Sequence, residues 1–227
     1  MSYDPRSIAF LAEVLYPPIS LQPEKVQQIH NALYAKREVS YQNFQVAQDG
    51  IHLTNPPTSP GAVSAVTFLP DRLVVREELR STTVEDFATR LVNVTSVCFQ
   101  SLGIQATLAQ QFAVRSLITP RRWDSSTQML GQGMLGGGED ALRAFGRPIG
   151  AVGMRFTFPQ VEGHPEMFNL RLETWTQDPR SVWIENTGSF PVPTTTENLP
   201  TLSNHLFATY RFLTQKACAF LAQFDER

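Results

Sequence analysis

Two short stretches in the second half of the chain alternate apolar side chains with chemically capable ones. Across 168–176, Phe168, Leu170, Leu172 and Thr174 interleave with Arg171, Glu173 and Trp175; across 182–185, Val182 and Ile184 interleave with Trp183 and Glu185. Successive residues of a strand point to opposite faces, so the first set reads as a core side and the second as one outer face. Upstream, Val152, Met154, Phe156 and Phe158 leave Arg155 on that outer side, and the alternation of Gln111-Phe112-Ala113-Val114-Arg115 adds Arg115. Two carboxylates sharing a face shift each other's pKa and can divide the work of general acid and general base. Tryptophan and arginine together are the usual anchors of interfaces, and they also suit an acidic ligand or unstacked bases. With Asp178-Pro179-Arg180 as a three-residue loop, Trp175 falls opposite Trp183 and Glu173 opposite Glu185, with both indoles exposed. The plainer reading is a solvated face on which arginines and glutamates neutralise one another and the indoles pair across strands.

Other constellations carry less. The run Gly131-Gln132-Gly133-Met134-Leu135-Gly136-Gly137-Gly138 lacks the Lys-Ser or Lys-Thr of a phosphate loop and leads into Glu139-Asp140, which would repel phosphate. It reads instead as a mobile loop or lid. His30, His52, His164 and His205 have no ligand-spaced partners, so neither a metal nor another cofactor is expected. There is no Gly-x-Ser-x-Gly elbow, and neither Cys98 nor Cys218 stands beside a histidine. Both cysteines fall in amphipathic helical stretches, where a reduced thiol behaves as a small apolar side chain. Arg121-Arg122-Trp123, Arg143 and Arg147 make residues 115–180 rich in arginine, yet eight Arg against seven acids is too even a balance for tracking DNA.

The elements that must position these residues follow from periodicity and punctuation. An apolar run from Ile8 to Tyr16 stopped by Pro17-Pro18 reads as a strand. Pro23, Glu24 and the stripe Val26, Ile29, Leu33 read as a helix. Four strands follow at Ser40–Gln48, Ile51–Thr54 across an Asp49-Gly50 turn, Ala62–Leu69 and Leu73–Glu78. Ser81-Thr82-Thr83 with Glu85-Asp86 caps a helix whose buried face is Val84, Phe87, Leu91, Val94, Cys98 and Leu102, ended by Gly103. The order then recurs: a strand at Thr107–Thr119, helical pieces at Ser125–Met134 and Asp140–Phe145, strands at Ala151–Phe158, Phe168–Gln177 and Ser181–Ser189, and a helix from Leu199 to Phe224. That helix turns Leu202, Leu206, Tyr210, Leu213, Ala217, Phe220 and Phe224 inward. Even the stretch Gly61-Ala62-Val63-Ser64-Ala65-Val66-Thr67-Phe68 has its counterpart in Gly150-Ala151-Val152-Gly153-Met154-Arg155-Phe156-Thr157-Phe158.

This order resembles the TBP-like, helix-grip class of folds, in which a curved antiparallel sheet holds a long helix against one face. The stretch Leu69–Trp123, with Phe112-Ala113-Val114-Arg115-Ser116-Leu117-Ile118, is faintly similar to a sporadically distributed family of uncharacterised bacterial proteins. Neither resemblance brings a catalytic residue with it.

Composition agrees with a folded α+β protein: 227 residues, 42% hydrophobic and 18% charged, with a formal net charge of −2. That charge argues against bulk binding to nucleic acid or to anionic membrane. No apolar stretch reaches the length of a membrane span, and Asp4-Pro5-Arg6 is unlike a signal peptide, so a cytoplasmic location is expected. The whole reads as two pseudo-symmetric halves of one compact unit, 1–103 and 104–227. The function expected is a non-enzymatic binding or assembly module, joining a protein partner or a second copy through Arg115, Arg155, Arg171, Glu173, Trp175, Trp183 and Glu185. Arginine outnumbers lysine 16 to 3 and tolerates partial burial at interfaces. The alternatives are a small-molecule carrier or enzyme with a cavity between sheet and C-terminal helix, gated by 131–138, and nucleic-acid binding on the curved sheet.

Overall fold

The structure, a computed structural model, describes residues 3–136 and 143–225. Its nine strands are β1 (Arg6–Leu15), β2 (Asn43–Ala47), β3 (Gly50–Thr54), β4 (Val63–Phe68), β5 (Arg72–Glu78), β6 (Ala109–Ile118), β7 (Gly153–Phe158), β8 (Met167–Thr174) and β9 (Val182–Phe190). They form one sheet in the order β2-β3-β4-β5-β1-β6-β9-β8-β7, antiparallel at every junction. The first strand of each half therefore lies at the centre, and the later strands of that half fan outward. The α+β class, with one antiparallel sheet and helices packed on it, is as the sequence implies.

Alternation decides which face is covered. Phe10, Ala12 and Val14 of β1, Leu73 and Val75 of β5, Phe112 and Val114 of β6, and Val182 and Ile184 of β9 are buried in one continuous core. Onto it pack α1 (Pro23–Ala35), α2 (Val84–Leu102), a short α3 (Ser126–Gln128) continued by a π turn at Met129–Met134, and a C-terminal run. Thr83 caps α2 by accepting from the Asp86 amide, and Gly103 closes it in the left-handed region at φ 71°. Both cysteines are buried and free, and burial pushes each thiol up to about 12. Among the described residues no helix is long and apolar enough to cross a membrane.

Three local expectations are corrected. The β2–β3 turn is Gln48-Asp49, one residue earlier than expected, with Gly50 already paired to Ala47. Gly50 has φ 136°, and a Cβ there would stand 2.9 Å from the Phe68 carbonyl oxygen, so the position needs glycine as a strand residue. The C-terminal helix is not uniform: α4 (Thr201–Arg211) passes through a π turn at Phe212–Ala217 into α5 (Cys218–Asp225). Past this turn the buried set is Ala217, Cys218, Leu221 and Ala222, with Phe220 and Phe224 only half-buried; Tyr210, before it, is half-buried as well. Finally, Met129, Leu130 and Gly131 are buried in the π turn, and Gly133 lies under the Trp123 ring, so this part of the glycine-rich run is packed helix rather than lid. The rest of that run, and most of the helical piece expected at Asp140–Phe145, lie outside the described residues.

Several polar side chains buried in the core find partners there. Glu77, only 3% exposed, accepts from the Ser64 hydroxyl at 2.7 Å and pairs with Arg90 at 3.3 Å and Arg80 at 3.6 Å. Where α4 crosses β9, Asn186 donates to the Thr209 carbonyl at 2.9 Å, and Gly188 lets the helix approach. His205 stacks on Phe190, ring centres 4.2 Å apart, with Nδ1 3.0 Å from Gln110 Oε1.

Two outcomes follow at this crossing. A Cβ at Gly188 would overlap the Thr209 hydroxyl and press within 3.0 Å of the Phe168 and Phe190 rings. Gly188→Ala is therefore expected to lower stability by about 1–3 kcal/mol in urea unfolding, the usual cost of overpacking. Burial holds His205 below the ordinary imidazole range, partly opposed by Glu166. In the unfolded chain this imidazole titrates at about 6.5 and so binds the proton more readily than in the fold. Stability is expected to fall as pH drops from about 6.5 through the folded pKa of His205, and His205→Gln to remove that part of the decline.

Candidate binding groove on the open face of the sheet

The opposite face of the sheet carries the outward set of every strand. The registers place Arg155, Arg171, Glu185, Arg115, Ala9 and Glu78 in one row running across β7, β8, β9, β6, β1 and β5. Opposite charges alternate along most of it. Arg171 donates from Nη2 to Glu173 Oε1 at 2.7 Å and from Nη1 to Glu185 Oε1 at 3.3 Å. Arg115 donates from Nε to Glu185 Oε2 at 2.6 Å and from Nη1 to Glu78 Oε1 at 3.2 Å. Arg76 closes the series with a 2.6 Å bond to the same Glu78 oxygen. The six side chains make a ladder of three guanidinium groups and three carboxylates that crosses the boundary between the halves. Hydrogen bonding to Glu173, against the opposing effect of burial, raises the Arg171 pKa, and Glu78 does the same for Arg76.

Beside the ladder lies a groove of about 420 Å³. Arg115, Arg171, Glu173, Trp175 and Trp183 line it, together with Ile8, Leu79 and Glu78. Arg171 lies over the Trp183 ring, 5.1 Å from its centre, a cation–π contact that stiffens the wall. Two backbone irregularities shape the floor. The β1–β6 register shifts between Ser7 and Ala9, which marks a bulge at Ile8. Leu79 takes a left-handed conformation, φ 52°, while its amide donates to the Ile8 carbonyl at 2.8 Å. A leucine there costs energy that the surrounding structure must offset, and such strain gathers at binding sites.

The structure brings five of the seven sequence-derived residues to the groove wall. Glu185 lies beneath, joining Arg115 to Arg171. Arg155 is separate: it is exposed on the edge strand, opposite Arg171, with Nη2 3.4 Å from Asn169 Oδ1. The expected hairpin pairing is corrected by two residues, since Glu173 stands opposite Trp183, Arg171 opposite Glu185 and Trp175 opposite Ser181. Asp178 is the cause. Its carboxylate accepts from the Ser181 hydroxyl at 2.6 Å and from the Arg180 amide at 3.2 Å, and the Ser181–Trp175 bond ends the ladder early. A slip of two keeps every side chain on its face, so the set survives while the partners change. Both indoles are half-buried rather than exposed.

With Arg171 between them, Glu173 and Glu185 form part of an ion-pair ladder and not a carboxylate dyad. Among the described residues no cluster of three or more His, Cys, Asp or Glu could hold a metal. Sequence reasoning missed Arg76, Glu78, Ile8 and Leu79. The alternation of Arg76 and Glu78 was visible, but their place beside Arg115 depends on long-range pairing. Chemically, the groove offers flat apolar walls and alternating donors and acceptors, which suit an extended chain bearing both.

The ladder should be most sensitive at its centre. Glu185, whose side chain is 9% exposed, serves two arginines, whereas Glu173 is 40% exposed at the end. Glu185→Gln is expected to lower stability by about 2–4 kcal/mol, and Glu173→Gln by less than about 1 kcal/mol, in parallel urea unfolding experiments. No family model matches this chain, and no curated protein matches it.

Proposed function

We propose that the chain is a non-enzymatic cytoplasmic binding or assembly module that holds a protein partner, or a second copy of itself, in the groove between the two indoles and the ion-pair ladder. The observation that carries this reading is the convergence of Trp175, Trp183, Arg171 and Arg115 in one groove on the sheet face that the helices leave uncovered. Half-buried tryptophan and arginine lose little further conformational freedom on contact, which is why they dominate interface energetics. The balance of charge favours a protein over a nucleic acid: Glu78, Glu173 and Glu185 stand among the arginines and would repel phosphates.

Native mass spectrometry of the gently purified chain is expected to show a dimer or a heteromeric mass. Trp183→Ala and Arg171→Ala should each weaken that association tenfold or more while the far-ultraviolet dichroism is unchanged. Association unaffected by both substitutions would remove the groove from consideration. Salt-sensitive binding to an oligonucleotide, lost in the same variants, would instead assign the face to nucleic acid.

A further inference from the structure

On the helix-covered side, at the sheet edge, lies a second and chemically opposite recess. Phe156 and Phe158 of β7, Leu170 of β8, and Phe212, Ala217 and Phe220 of the C-terminal run enclose about 430 Å³. That is within the roughly 300–1,000 Å³ range of small-molecule sites. Its wall is built by interlocked rings: Phe158 meets Phe212 edge-on at 4.9 Å and Phe156 meets Phe220 at 5.7 Å. Phe158 remains 40% exposed, so its ring is a wall of the recess and not part of the core.

Three observations bear on what the recess would hold. First, it is lined by aromatic and aliphatic carbon except at one point, Lys216. Second, Lys216 is exposed, and among the described residues its ammonium group forms no ion pair or hydrogen bond. Third, Phe212, Lys216 and Ala217 all belong to the π turn, where the C-terminal run departs from regular helix; such turns are frequent at functional sites. None of the recess's lining residues comes from the glycine-rich run at 131–136.

We infer that this recess binds a single-chain hydrophobic carboxylate, of the acyl-chain class, with the tail against the phenyl rings and the carboxylate accepting hydrogen bonds from Lys216 Nζ. A wholly apolar ligand would leave the cation unused, and a doubly charged one would place a charge against Phe156 and Leu170. One anionic head on an apolar tail satisfies both parts of the lining. The inference is independent of the open-face groove.

The full chain titrated with cis-parinarate, a fluorescent acyl carboxylate, should show saturable binding of one molecule per chain. Decanoate should displace it at least tenfold more effectively than decanol. Lys216→Gln should remove that preference while decanol competes as before. Phe158→Glu, at an exposed position where the fold should tolerate it, should abolish binding with the far-ultraviolet dichroism unchanged. Trp183→Ala should leave cis-parinarate binding intact, which separates this site from the other. Absence of saturable binding, or binding that persists in Phe158→Glu, would overturn the inference. So would co-sedimentation with anionic phospholipid vesicles in the absence of cis-parinarate binding, which would assign the recess to a bilayer surface.

Discussion

The antiparallel pairing of β1 with β6 is the interaction on which the rest of the structure depends. Neither half could present a nine-stranded face alone, because each would leave its first strand as an unpaired edge. Joined, the two strands carry Phe10, Ala12, Val14, Phe112 and Val114 into a common core, and α2 and α4 pack together over them. Pairing by backbone hydrogen bonds and burial on one side are mutually supporting. A slip of one residue would turn every one of these apolar side chains toward solvent.

The same seam creates the open-face groove. Its bulge at Ile8 changes the register locally, and the Ile8 carbonyl captures the Leu79 amide. Ala9, small and at the centre of the charged row, lets the Arg115 side chain reach across β1 to Glu78. The ladder therefore ties β8, β9 and β6 of one half to β5 of the other, across β1. Arginine suits this task because its stem covers neighbouring aliphatic surface while its fork meets two carboxylates at once.

The two faces of the sheet solve different problems. On the helix side, the buried Glu77 carboxylate is held by Ser64, Arg80 and Arg90, and the neutral Asn186 amide donates to the Thr209 carbonyl. On the open side the half-buried charges are paired with each other, which keeps a broad face polar without making it strongly positive or negative. The apolar recess beside β7 is the exception on the helix side. There the π turn sets Phe212, Lys216 and Ala217 against Phe156 and Phe158 of β7 and Leu170 of β8.

Local order was legible from the residues alone. Alternation assigned the faces of β7, β8 and β9, the Thr83 cap and Gly103 bounded α2, and the outward set Arg171, Glu173, Trp183 and Glu185 was identified because side-chain direction in a strand depends only on parity. What the chain order could not reveal is who stands opposite whom. The Asp178 turn shifted the β8–β9 pairing by two residues, and parity is blind to an even shift. Glu78 became the partner of Arg115 only because strands from different halves flank β1, and the π turn at Phe212–Ala217 arose from how the C-terminal run fits the sheet. Sequence by itself determined the strand faces and helix limits, since these are set by neighbours within a few residues. Tertiary structure decided the register, the ladder and both recesses, since these depend on contacts between residues far apart in the chain.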